Sequence, residues 1–150
     1  MRIKRLLGAG DRIMVSVLPF AFVGIAANHR WPALFQLGFG RAGFALGSAF
    51  IAIGIPLWLI SVVQILLLVQ KDKLITHGPF ALLLHPIYTS VALLVIPGVG
   101  LLLDSWLGFA LGLILYLASR HFAPSEEREL AARFPVEYPA YRRRVLLPWL

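Results

Sequence analysis

The sequence predicts an all-α integral membrane protein with about four transmembrane helices and a cytosolic C-terminal amphipathic helix, and three observations carry that expectation. Of 150 residues, 59% are hydrophobic and only 14% are charged, against about 25% charged in a soluble domain. The apolar residues fall into four uncharged runs, the longest of which exceeds the roughly 20 residues a helix needs to cross the hydrocarbon core. The basic residues gather at the ends of these runs. The formal net charge of +7 therefore reads as topology and attraction to anionic headgroups. No basic stretch is interleaved with the aromatics that a single-strand groove uses, so the bilayer is the expected partner and nucleic acid is not. Cysteine is absent, which removes disulfides, thiolate metal sites and a cysteine nucleophile.

The first crossing, about residues 13–28, follows a basic start at Arg2, Lys4 and Arg5; with Ala26-Ala27 near its end, a cleaved signal peptide is the alternative reading. A polar connection from His29 to Arg41 leads to the second crossing, about 44–70, which is long enough to tilt or to begin in the interface. Gly54 and Pro56 offer it a kink, and Gln64 is an amide suited to a helix–helix hydrogen bond. Lys71-Asp72-Lys73 ends it. The third crossing, about 86–103, opens on Pro86, whose missing N–H costs nothing in a first turn. Pro97-Gly98-Val99-Gly100 should bend or loosen it, and Asp104-Ser105 turns the chain tightly. The fourth, about 105–122, is short and is closed by Arg120, which can snorkel. Gly-Phe-Ala-Leu-Gly occurs at Gly43 to Gly47 and again at Gly108 to Gly112. Both copies place glycines at the spacing of close helix packing, and such faces could also join copies of the chain into a homo-oligomer.

With the N-terminus inside, four crossings leave Arg30 and Arg41 outside and the other 12 of 14 Lys and Arg inside. Both termini are then cytoplasmic, as in a bacterial inner membrane, and the single domain ends in a cytosolic segment, 124–150. Pro124-Ser125-Glu126-Glu127 reads as a helix start, with a capping serine and acids where the helix dipole favours them. That helix should reach about Phe134. On its wheel Leu130, Ala131 and Phe134 share a face with Glu127 at the centre and Glu126 at the edge. A carboxylate so placed needs a cation or a ligand hydroxyl, or else it merely satisfies the helix start. Pro135 to Tyr141 reads as irregular, Arg142-Arg143-Arg144 as a headgroup clamp, and Val145 to Leu150 as interfacial.

The informative chemistry lies at Leu74 to Tyr88. Gly78-Pro79 breaks the chain, and His85 and Tyr88 fall on one helical turn at a membrane border, as interfacial anchors or as the lip of a site. The four histidines include no pair at i, i+4 on one helix, so no metal site is expected. There is no Gly-x-Ser-x-Gly elbow, P-loop or dinucleotide fingerprint.

The ordered set Leu74-Ile75-x-x-Gly78-Pro79-Phe80, His85-Pro86-x-Tyr88 and Glu126-Glu127-x-x-Leu130-x-x-x-Phe134-x-x-x-Tyr138-x-x-Tyr141 resembles the isoprenylcysteine carboxyl methyltransferase family, and membrane phospholipid methyltransferases share much of it. The resemblance covers Leu74 to Pro148. It implies a membrane enzyme that moves a methyl group from S-adenosyl-L-methionine to a lipophilic or small acceptor reached from the bilayer. Carried over by position, it implies cofactor contacts at Asp72, Lys73, Leu74, Ile75, Phe80, His85, Pro86, Ile87, Tyr88 and Glu126, with Glu127 the choice of the helical wheel. The sequence departs from the pattern at Leu84, where arginine is usual, and at Ser90 and Pro135, where glycine is usual. The family's substrate-facing arginine falls on Phe122, which makes Arg120, two residues back, the candidate replacement if the chain is irregular around Pro124. Two other readings stay open: an NADPH-dependent sterol-reductase-like enzyme, and a non-catalytic helical membrane assembly protein.

Overall fold

Backbone in a bilayer has no water to bond to, so long apolar runs must satisfy their polar groups as helices. The computed structural model, which describes residues 10–68 and 73–148, is built accordingly. In order along the chain are α1 (Gly10–Arg30), α2 (Pro32–Phe35), α3 (Gly40–Leu68), α4 (Pro79–Leu82), α5 (Pro86–Leu102), α6 (Leu107–Arg133) and α7 (Glu137–Arg144). Among the described residues there is no strand, only two isolated backbone bridges, Gln36 with Ser105 and Leu83 with Leu147. Helices α1, α3 and α6 are long and apolar enough to cross a membrane, and α5 is a shorter apolar helix of about 25 Å. The basic start at Arg2, Lys4 and Arg5, the expected cofactor contact Asp72, and Trp149 lie outside the described residues.

Helix α5 is the axis of the bundle, with α3 on one side and α6 on the other. Both glycine pairs explain why. Gly47 lies against the Gly98 carbonyl and Leu101 of α5, while Gly112 lies against the Ala92 carbonyl and Pro97. At the α5–α6 crossing a Cβ on Gly108 would stand 2.6 Å from the Gly100 Cα, so only glycine permits that approach. The two Gly-Phe-Ala-Leu-Gly segments, expected as packing faces, are thus filled by the chain's own α5.

The proline–glycine run loosens α5 without breaking it. Pro97 has no N–H to complete the ladder to Leu93, and the turn just before it, Val91–Val95, widens to a π-helix in which the Ile96 N–H donates to the Val91 carbonyl. At the end of the bundle away from His85, the Asp104 turn adopts φ 52° and forms a clasp. The Trp106 indole donates to the Leu34 carbonyl at 2.9 Å, the Ser105 hydroxyl to Asn28 Oδ1 at 3.0 Å, and the Phe39 N–H to Asp104 Oδ1 at 3.2 Å.

The tail differs from expectation in three ways. No helix starts at Pro124: α6 runs unbroken from Leu107 to Arg133, and the Ser125 hydroxyl donates to the Phe122 carbonyl at 2.7 Å instead of capping. The proline is tolerated because the turns beyond it are held by tertiary contacts to α5 and α7. The stretch expected to be irregular is helical over Glu137–Arg144, where Pro139 falls in the first turn and forfeits no bond. Val145 is buried, and the Leu146 and Leu147 N–H groups donate to the Ala81 and Leu82 carbonyls. As far as Pro148 the tail is therefore strapped to the end of α4, whose last carbonyls lack helical partners.

Candidate functional site

Two apolar clusters divide the molecule. One, around Ile13, Val17, Ala92 and Leu115, joins α1, α5 and α6 within the bundle. The other, around Leu84, Tyr138, Tyr141 and Val145, with Leu74, Phe80, Leu130, Ala131 and Phe134 against it, joins the Leu74–Leu84 stretch to the end of α6 and to α7. The candidate site lies in the second.

Gly78 holds φ 63°, a conformation open to glycine, and carries the chain into α4. The Gln64 amide fills the space beside it, with Nε2 2.6 Å from where a Cβ on Gly78 would stand. Its Oε1 is buried and finds no hydrogen-bond partner among the described residues, where the helix–helix bond expected of this amide is therefore not formed through that oxygen. After α4, His85 precedes α5 as its N-cap residue and Pro86 takes the first helical position, fully buried. His85 and Tyr88 come together on this turn, their ring centroids 6.3 Å apart.

Across from them, the polar end of α6 supplies both glutamates. Tyr88 donates its hydroxyl proton to Glu126 Oε1 at 3.2 Å. His85 Nε2 stands 3.3 Å from Glu127 Oε1, and the Arg142 guanidinium of α7 lies 3.3 Å from Glu127 Oε2. Glu127 thus ties three elements together. The His85 hydrogen bond, aided by the Arg142 charge, holds its carboxyl below the ordinary range despite burial. Its place on the face of Leu130, Ala131 and Phe134 follows the helical wheel, because the helix is regular there.

Two clefts flank this tie. An apolar one of about 150 Å³ is lined by Ile65, Lys73, Leu74, Ile75, Phe80, Leu84, His85, Leu130, Arg133, Phe134, Tyr138 and Tyr141. The Tyr141 hydroxyl donates to the Phe80 carbonyl at 2.8 Å, closing α7 over α4, and burial pushes its pKa up to about 12. The second, about 620 Å³, is lined by Arg120, Ala123, Pro124, Glu127, Arg128, Ala131, Tyr138, Arg142 and Pro148. The Arg128 Nε–H donates to the Pro124 carbonyl at 3.1 Å, which steadies that guanidinium on the wall.

Of the residues expected to touch a cofactor, Lys73, Leu74, Ile75, Phe80 and His85 share the apolar cleft. Glu127 and Arg120 share the arginine-lined one. Pro86, Ile87, Tyr88 and Glu126 sit on the turn and helix behind His85 and are absent from both linings. The condition set for Arg120, an irregular chain near Pro124, is not met. It reaches the same cleft as Glu127 because two regular turns separate them. Phe122, at the position of the expected arginine, packs on the bundle core. Tyr138 enters the sequence reading only as a member of the Phe134-x-x-x-Tyr138-x-x-Tyr141 pattern and Arg142 only as part of a headgroup clamp, and Arg133 carries no expected role; the fold brings all three to the clefts.

The phospholipid methyltransferase family model matches residues 43–135. The chain belongs to the phospholipid methyltransferase family. The matched span runs from the first glycine pair to just past α6 and includes His85, Glu126 and Glu127, while α7 lies beyond it. No curated protein and no solved structure matches the chain. It is a membrane methyltransferase by family, and its helices are those of a membrane protein.

Proposed function

We propose that the protein transfers a methyl group from S-adenosyl-L-methionine to a lipophilic or small acceptor reached from the bilayer. The observation that carries this reading is the Glu127 tie, which joins an apolar, aromatic cleft to an arginine-lined one within the residues the family model covers. The chemistry of the apolar cleft fits the methyl donor. Phe80 and Phe134 offer rings to an adenine, Lys73 and Arg133 offer charge to a carboxylate, and His85 and Tyr138 offer polar hydrogens. When bound, the donor supplies a methyl carbon already activated by its sulfonium. The chain's own residues would then orient the two reactants and exclude water, gains that come from proximity. Leu74, Ile75 and Leu84 close the apolar side. Arg120, Arg128 and Arg142 face the acceptor's polar end, in keeping with either a phospholipid-like acceptor or the carboxylate of a prenylcysteine, as the resemblance implies.

Titration of the detergent-purified protein with S-adenosylhomocysteine should give heat, and methyl label from the donor should appear in an extractable lipid or prenyl compound. Glu126→Ala and Glu127→Ala, tested side by side, assign the carboxylate that matters for donor binding. No heat with this ligand, alongside clear binding of NADPH, would sink the methyl-transfer reading in favour of hydride transfer.

A further inference from the structure

Tyr138 is buried, at 4% exposure, and among the described residues is the one common to the linings of the apolar and the arginine-lined clefts. Among the described residues its hydroxyl makes no hydrogen bond of ordinary length and angle, and the Glu127 carboxylate, the nearest acceptor, is close enough only for a weak, strained contact that a better-placed acceptor would displace. Tyr141, one turn along the same helix, shows the ordinary case: its hydroxyl is spent on the Phe80 carbonyl. A buried hydroxyl without a partner is unfavourable and is rare in native proteins, so one on the wall of a cleft calls for an occupant. We propose that the Tyr138 hydroxyl donates a hydrogen bond to the methyl-donor ligand and is a direct binding contact at the partition between the two clefts. The inference rests on the methyl-transfer reading. Burial and the Glu127 carboxylate both raise the pKa of Tyr138, so the group stays protonated and acts as a donor. Its ring is held by Leu84 and Val145, and its N–H donates to the Phe134 carbonyl at 2.9 Å. The hydroxyl is thus presented by a rigid wall, and binding need not order it.

Tyr138→Phe tests this, because it removes the oxygen and keeps the ring. With S-adenosylhomocysteine as probe, the variant should bind roughly tenfold more weakly, while the melting midpoint of the ligand-free protein holds or rises, since an unbonded buried polar atom has been removed. Tyr141→Phe, which breaks a bond present in the free protein, should lower that midpoint and serves as the reference. Unchanged affinity of Tyr138→Phe overturns the proposal. So does a fall in its ligand-free midpoint as large as that of Tyr141→Phe, which would mean the hydroxyl is bonded within the free protein. If the wild-type protein itself gives no heat, the methyl-donor reading falls; wild-type binding that Tyr138→Phe leaves intact falls on this inference alone.

Discussion

Glu127 shows how one side chain can be read from sequence as a problem and from structure as its solution. An acid in the middle of an apolar helix face needs partners, and His85 and Arg142 arrive from two other elements to provide them. Neither partner could be named from local sequence, because each lies in a different helix. Removing the carboxylate leaves the mostly buried His85 and the half-exposed Arg142 without it, so Glu127→Ala should lower stability by about 2 kcal/mol, on the scale of a hydrogen bond to a charged group. The pH dependence has a definite sign. The folded carboxyl titrates below its ordinary value, so the stabilisation is fully present above about pH 4.3 and is lost as pH falls through the depressed folded value. Unfolding midpoints of wild type and Glu127→Gln should therefore differ at pH 7 and converge in acid; a constant difference would show that the charge is not what stabilises.

Among the elements, α5 illustrates a helix whose composition suggests weakness and whose position requires it. Pro97, Gly98 and Gly100 are poor helix formers, yet each lies where a neighbouring helix comes close. The propensity lost is recovered in backbone proximity on two sides. Gly108→Ala should cost about 2 kcal/mol by overpacking, read as an early loss of the folded, detergent-solubilised form on heating. Tolerance of alanine there would mean the α5–α6 crossing is looser than described. The opposite lesson comes from α6 and α7. By local rules Pro124 reads as a boundary and Pro135 to Tyr141 as irregular, but a first-turn proline costs α7 nothing, and α6 continues through Pro124. Local rules placed the punctuation and could not weigh it against packing.

At the scale of the whole molecule, the ends of the bundle are unlike. One holds the Asn28–Ser105 and Leu34–Trp106 clasp, the other the clefts and the strapped tail. The bias of Lys and Arg predicts that the cleft end faces the cytoplasm. Because the natural chain has no cysteine, single substitutions report this cleanly. In intact cells a membrane-impermeant maleimide should label His29→Cys and leave Arg143→Cys unlabelled until the membrane is opened. The reverse pattern would invert the topology.

What the sequence by itself determined is what depends on local runs and spacings: the α-helical membrane class, the long apolar helices, the glycine faces, and the ordered motifs at Leu74 to Tyr88 and at Glu126 and Glu127. What only the tertiary structure decided is which of those residues meet. Glu127 meets His85 while Glu126 meets Tyr88, Phe122 is committed to the bundle core, and α7 folds back so that Tyr138 stands between two clefts. The reason is physical. Periodicity assigns a residue to a face of its own helix, whereas the neighbour that face receives depends on how separate helices pack, and their close approaches are set by contacts distant in sequence.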